Sequence, residues 1–225
     1  MRTLYHWILD PFSRCVRIAL AEKKIEFALE TSSPFEADSE AQKLNPIGGA
    51  PVLVDMSAAG RVIISEPRAI LEYIDEVYAG YPLLPKNPVD RAEVRWVMGW
   101  LERGFENDVN ATLLRERIMM RYLRAGRPNT SALREGAKAL DGYLKHIEAI
   151  TAVRPYLAGD DYTLADVSVA AHLSCLDYFG DVVWNRFENT SSWYLRMKSR
   201  ASFREILKDS LEGVLPAPHY AELDF

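Results

Sequence analysis

Asn45-Pro46-Ile47-Gly48-Gly49-Ala50-Pro51-Val52-Leu53-Val54-Asp55, followed by Ser65-Glu66-Pro67-Arg68-Ala69-Ile70, is the stretch that decides the fold. The glycine pair permits a tight loop, and the apolar run after Pro51 reads as a strand. Pro51–Asp55 and Arg61–Ser65 are two apolar strands joined by the loop Met56-Ser57-Ala58-Ala59-Gly60. Ala69, Ile70, Tyr73, Ile74 and Val77 then form a helical stripe, which makes the unit ββα. Working back toward the N-terminus, residues 3–7 read as a strand, 12–23 as a helix with Val16, Ala19 and Leu20 on one face, and Phe27–Thr31 as a second strand. The polar stretch Ser32–Leu44 separates the two units.

The order βαβ then ββα is the thioredoxin-like arrangement, here assigned to residues 1–80. Pro82, Pro85 and Pro88 then punctuate a segment without periodicity, and residues 81–90 read as a short stiff linker. Residues 91–225 read as all-helical, with Val94, Val97, Met98, Leu101 and Phe105 in one helix and Leu133, Ala137, Leu140 and Leu144 in another. The fold class expected is therefore α+β in the first domain and an all-α bundle in the second. Thr163-Leu164-Ala165-Asp166 reads as a reciprocal helix cap, with Asp166 a buried structural residue rather than a catalytic acid.

Hydrophobic residues make up 48% of the 225 and charged residues 26%, with neither low-complexity tract nor repeat, as in ordinary folded proteins. The net charge of −5 argues against general nucleic-acid binding, which needs a concentrated basic excess. Cys15 and Cys175 lack CxxC spacing, so neither a disulfide framework nor a metal site is expected, and a reducing cytoplasm fits. Met1-Arg2-Thr3 runs straight into a strand, so no signal peptide is expected. No apolar run reaches the roughly 18 residues of a membrane span, so no membrane insertion is expected.

Leu4-Tyr5 with Pro11-Phe12-Ser13-Arg14-Cys15-Val16-Arg17, the Asn45–Asp55 segment, Glu66 with Ala69-Ile70, the proline linker and Gly159–Asp166 occur in an order and spacing that resemble the cytosolic glutathione S-transferase (GST) superfamily over essentially the whole chain. The resemblance implies a two-domain fold, a homodimer and a glutathione cleft. It implies that Pro51 is a cis proline, with the Ala50 backbone turned toward the cysteinyl part of glutathione and Glu66 beside its γ-glutamyl end. Two decisive positions depart from the family pattern. A serine that would receive the γ-glutamyl carboxylate is Pro67, which removes a hydroxyl and one backbone donor from the helix start. The residue that would hold the glutathione sulfur as thiolate is Asp10, an acceptor when ionised. Asp10 reads as the cap of the first helix, while Ser13 or Tyr5 is a substitute donor if catalysis survives; His6 and Trp7 are further candidates to line the cleft. No catalytic residue is expected, no cofactor is required, and glutathione is expected to be at most a weak ligand.

Asn110–Arg117, Ala170–Val182 and the ending Pro216–Phe225 resemble more narrowly a bacterial subgroup of the superfamily that includes a cell-division factor binding the tubulin-like GTPase FtsZ. That resemblance implies FtsZ filaments, or another division protein, as partner. Independently, a helix through residues 112–124 would place Arg117, Arg121 and Arg124 on one face, with Arg115 and Arg127 nearby. A solvated face paired with local acids such as Glu116 is the ordinary reading; a bidentate contact with an acidic partner is the functional one. In the tail, Leu223, Asp224 and Phe225 complete a segment that either folds back on the bundle or docks on another protein. The alternative is an active transferase conjugating glutathione to small electrophiles.

Overall fold

The computed structural model describes residues 2–45, 48–57 and 60–223. Its N-terminal part is a four-stranded mixed sheet with strand order β2-β1-β3-β4, built from β1 (Thr3–His6), β2 (Ala28–Thr31), β3 (Val52–Ser57) and β4 (Gly60–Ser65). β1 runs parallel to β2 and antiparallel to β3, with Leu4 opposite both Leu29 and Leu53. Helix α1 (Pro11–Glu22) connects the parallel strands β1 and β2, and α3 (Pro67–Val77) follows the β3–β4 hairpin. A five-residue helix, α2 (Glu40–Leu44), capped by Ser39, lies in the polar stretch where none was expected. It is too short and polar to leave a periodic signal.

The C-terminal part is helical. α4 (Pro88–Trp100) begins within the expected linker because Asn87 caps it, its side-chain oxygen accepting from the Val89 amide at 3.0 Å, and Pro88 takes the first helical position. The helix continues through a π-wound segment, Leu101–Leu114, into α5 (Arg115–Arg121). α6 (Thr130–Thr151), α7 (Leu164–Phe179), α8 (Glu188–Ser199) and α9 (Ala201–Leu207) complete the bundle. α7 is its axis: all sixteen residues are buried. The expected reciprocal cap starts it, Asp166 Oδ2 accepting from the Thr163 amide at 3.1 Å, and Gly180, at φ 77°, ends it.

The two parts share one core. α1 packs along α7, with the Phe12 ring edge-on to His172 at 4.9 Å between centroids. Polar contacts lock the seam. The fully buried Arg14 donates to the Ile8 carbonyl at 2.7 Å and to Ser174 Oγ at 2.8 Å, and Arg17 grips Asp209 bidentately at 2.7 and 2.9 Å. Arg200 reaches back to Glu22 at 2.6 and 2.9 Å.

Candidate functional site

The seam opens on one side into a continuous cleft around Gly49 and Ala50. The Ala50–Pro51 peptide is cis, which brings the Ala50 backbone to the cleft wall. A first cavity of about 580 Å³ lies between the Trp7–Pro11 segment and the helical face carrying Glu106, Asn110, Leu114 and Ile118. A second, of about 480 Å³, is lined by Ala50, Pro51, Ser65, Glu66 and Pro67 on the sheet side and by Glu102 and Glu106 on the helical side. The cavities share Gly49, Ala50 and Glu106.

Asp10 lines the first cavity. Its Oδ2 accepts from the Ser13 amide at 2.7 Å, so it is the N-cap of α1. Burial, helped by the nearby Glu106 charge and opposed by the bonds from Ser13, pushes its carboxyl up to about 6. Ser13 is fully buried, and its Oγ accepts from the Trp7 amide at 3.3 Å. Tyr5 lies mid-strand in β1 and does not line either cavity. His6 is buried beside Arg17 and Arg14, while Trp7 lines the first cavity.

At the α3 start, Glu66 adopts φ 85° and its own carboxylate caps the helix, accepting from the Ala69 amide at 3.1 Å. Pro67 has no amide proton and the Ala69 amide is taken by Glu66, so of the first three positions of the helix Arg68 is left to offer an amide to an anion. The described residues lining this second cavity include Glu66, Glu102 and Glu106 and no Lys, Arg or His. Arg68, which follows Pro67 in α3, is already paired with Glu102 at 2.8 Å. Even so, burial outweighs that pairing and holds the Glu102 carboxyl above its ordinary range. The second cavity presents carboxylates on both walls, Glu66 from the sheet side and Glu102 and Glu106 from the helical side.

Glu102 and Glu106 were not among the residues singled out from sequence, and Asn110 entered only as the first residue of the stretch Asn110–Arg117. Their four-residue spacing beside the buried Leu101, Phe105 and Val109 is the signal that places them on one face.

The arginines do not form the single stripe expected. α5 ends at Arg121, and Arg124 lies beyond it at φ 51°, ahead of Gly126 at φ 70°, so Arg124 leaves the face that a helix to residue 124 would have given it. Arg117 donates to both carboxylate oxygens of Asp181, its Nε at 2.9 Å from each. Arg121 is exposed, with its guanidinium 5.6 Å from the Phe179 ring centroid. Arg115, Arg124 and Arg127 are exposed and make no ion pair among the described residues; Arg115 lines the first cavity. The tail reaches the same end of α7. The Ala217 amide donates to the Tyr178 carbonyl at 2.8 Å, Tyr220 is fully buried with its hydroxyl donating to the Ile206 carbonyl at 3.1 Å, and Leu223 is 44% exposed. Asp224 and Phe225 lie outside the described residues. The arginine helix and the tail, far apart in sequence, thus flank residues 177–181.

Residues 2–76 match the model of the glutathione S-transferase N-terminal domain, and residues 114–201 match that of the C-terminal domain. The chain belongs to the glutathione S-transferase family. Within it, the chain is 46% identical to FtsZ-localized protein A of Caulobacter vibrioides, over 100% of this chain and 98% of that protein. The solved structure of FzlA from C. crescentus superimposes with a TM-score of 0.95 at 46% identity, covering 100% of this chain and 99% of the other. A crystal structure described as a glutathione S-transferase from Rhodospirillum rubrum F11 gives a TM-score of 0.94 at 38% identity, over 100% of both chains. Among the described residues, no helix is long and apolar enough to cross a membrane.

Proposed function

We propose that this transferase-family chain works as a dimeric protein-interaction factor on FtsZ filaments, its ordinary glutathione chemistry weakened or lost. The observation that carries the reading is the full-length likeness to FtsZ-localized protein A. Two features support it. The cleft offers acceptors where glutathione, which carries two carboxylates, needs donors, and Asp10 brings negative charge to the position where a thiolate would be stabilised. In addition, Arg121 is exposed beside Phe179 at the C-terminal end of α7, Arg124 is exposed three residues further on, and Leu223 is 44% exposed three residues beyond the buried Tyr220, which supplies charge and apolar surface for a partner. A dimer carrying two such surfaces gains avidity on a polymer of repeating subunits.

Co-sedimentation with FtsZ polymers tests this. Arg121→Glu, Arg124→Glu and deletion of residues 223–225 are expected to remove the chain from the pellet while light scattering still reports the dimer; unchanged co-sedimentation overturns the partner. Calorimetry with millimolar glutathione is expected to give no clear binding and a general electrophile no turnover. Clear binding together with turnover would overturn the loss of chemistry.

A further inference from the structure

β2 is an outer strand of the sheet, paired on one side with β1. The Ala28 amide donates to the Arg2 carbonyl at 2.9 Å and the Ser32 amide to the His6 carbonyl at 2.8 Å, so these residues turn their backbone groups toward β1. By the alternation of a ladder, Leu29 and Thr31 turn their N–H and C=O groups to the open edge. Both residues are exposed. Such a free row of donors and acceptors is a template for another strand. Phe27 and Leu29 also line a groove of about 300 Å³ shared with α1 and α9, where Ala21 and Ile206 complete its apolar walls. The two charged residues lining it are already paired, Glu205 with Lys208 at 2.5 Å and Arg17 with Asp209 at 2.7 Å.

We propose that this edge and groove together take up an extended segment of another protein, added to the sheet beside β2, whose residues alternate between apolar and lysine or arginine. Backbone bonds along the edge hold such a segment, and its side chains set the specificity. The pattern of β2 dictates the complement, because residues directly opposite in a sheet share a face. Leu29 faces the groove, so an apolar residue opposite it enters the same groove. Ala28 and Glu30 lie on the other face, with Glu26 just ahead of the strand, and both glutamates are exposed. No Lys or Arg occurs from residue 25 to residue 33, so a cation opposite this face meets carboxylates alone along the strand. The net charge of −5 attracts the same sign from a distance. A second copy of β2 laid against this edge would crowd four glutamates onto one face, which argues for a basic partner rather than self-pairing.

The groove shares no residue with either cleft cavity, so a chain that fails to co-sediment with FtsZ is still expected to bind the segment. The probe is an end-blocked seven-residue peptide alternating lysine and valine, titrated into the full chain by calorimetry and expected to bind with a Kd below about 1 mM. Two further copies are N-methylated, one at its valines and the other at its lysines. An added strand bonds through one row of amides, so one copy is expected to bind at least about tenfold more weakly and the other to keep its affinity. A glutamate–valine peptide is expected not to bind. At saturation, hydrogen exchange at the Leu29 and Thr31 amides is expected to slow about tenfold, with Ala28 unchanged. Thr31→Pro removes one edge-facing donor at a position where an outer strand tolerates proline, and Glu30→Lys reverses the charge. Each variant, confirmed folded by its unfolding midpoint, is expected to weaken the lysine peptide about fivefold or more. The proposal is overturned by no binding of that peptide at millimolar concentration, by N-methylated copies that bind alike, by a glutamate peptide that binds as well, by unchanged exchange at Leu29 and Thr31, or by folded variants with the parent's affinity.

Discussion

At Asp10 one carboxylate meets two opposed demands. As a cap it is stabilised by the Ser13 amide at 2.7 Å; as a charge beside Glu106 in a partly desolvated cleft it is disfavoured, and its carboxyl is pushed up from 3.8 to about 6. Between those values the folded chain holds a proton that the unfolded chain has released, so this residue makes stability fall as pH rises through the window. Asp10→Asn keeps a good cap and removes the charge. Urea unfolding should therefore find the variant more stable than the parent at pH 7.5, with the advantage shrinking toward pH 4; a constant difference would refute the assignment. Pro67 is simpler: it starts α3 without offering an amide, and Glu66 occupies the amide of Ala69. Both departures were legible in the sequence because each sits inside a motif whose neighbours fix its register. Glu106 and Asn110 were less so, since acidic residues along a helix read as a solvated face until the opposing wall is known.

Among the elements, α7 depends most on a single side chain. Asp166 Oδ1 accepts from the Leu157 amide at 3.0 Å and the Trp193 indole at 2.9 Å, while Oδ2 holds the Thr163 amide, all buried. Asp166→Ala strands three buried donors and is expected to cost on the order of 3 kcal/mol or more in a denaturant titration, against about 1 kcal/mol for Thr163→Ala. Equal small losses would show that the cap does not organise the bundle. The cap was legible because its partners are local; its contacts to Leu157 and Trp193 were not. The same distinction separates Arg117, whose partner Asp181 is 64 residues away, from the unpaired arginine it resembles in sequence. In the π-wound segment the buried Leu101, Phe105, Val109 and Leu113 recur every fourth position, longer than the 3.6-residue α-helical period. Close packing accompanies that winding: a Cβ at Gly136 would lie 2.8 Å from the Leu113 amide nitrogen, and one at Gly104 would lie 2.5 Å from the Tyr143 hydroxyl. Gly136→Ala is therefore a poor substitution even in a long helix.

For the whole molecule, burial holds both His6, in the sheet, and His172, on α7, down from 6.5 to about 4, the charges of Arg17 and Arg14 adding to the effect at His6. The unfolded chain takes up these protons below 6.5 and the folded chain only near 4, so stability is lost as pH falls through that interval, opposite in sign to Asp10. Unfolding midpoints should drop on acidification from pH 7 to 4.5, and His172→Gln should flatten the slope; a variant with the parent's slope would exclude His172 as a contributor. Two buried histidines on opposite sides of the seam make the seam itself acid-sensitive. Tyr220 is buried under Arg14 and tied to the Ile206 carbonyl. Leu223 follows three residues later, a reach of at most about 11 Å. Any molecule touching Leu223 is thus kept within that radius of the bundle wall. The tail is a short leash, and the partner it holds must also fit the surface to which the leash is fixed.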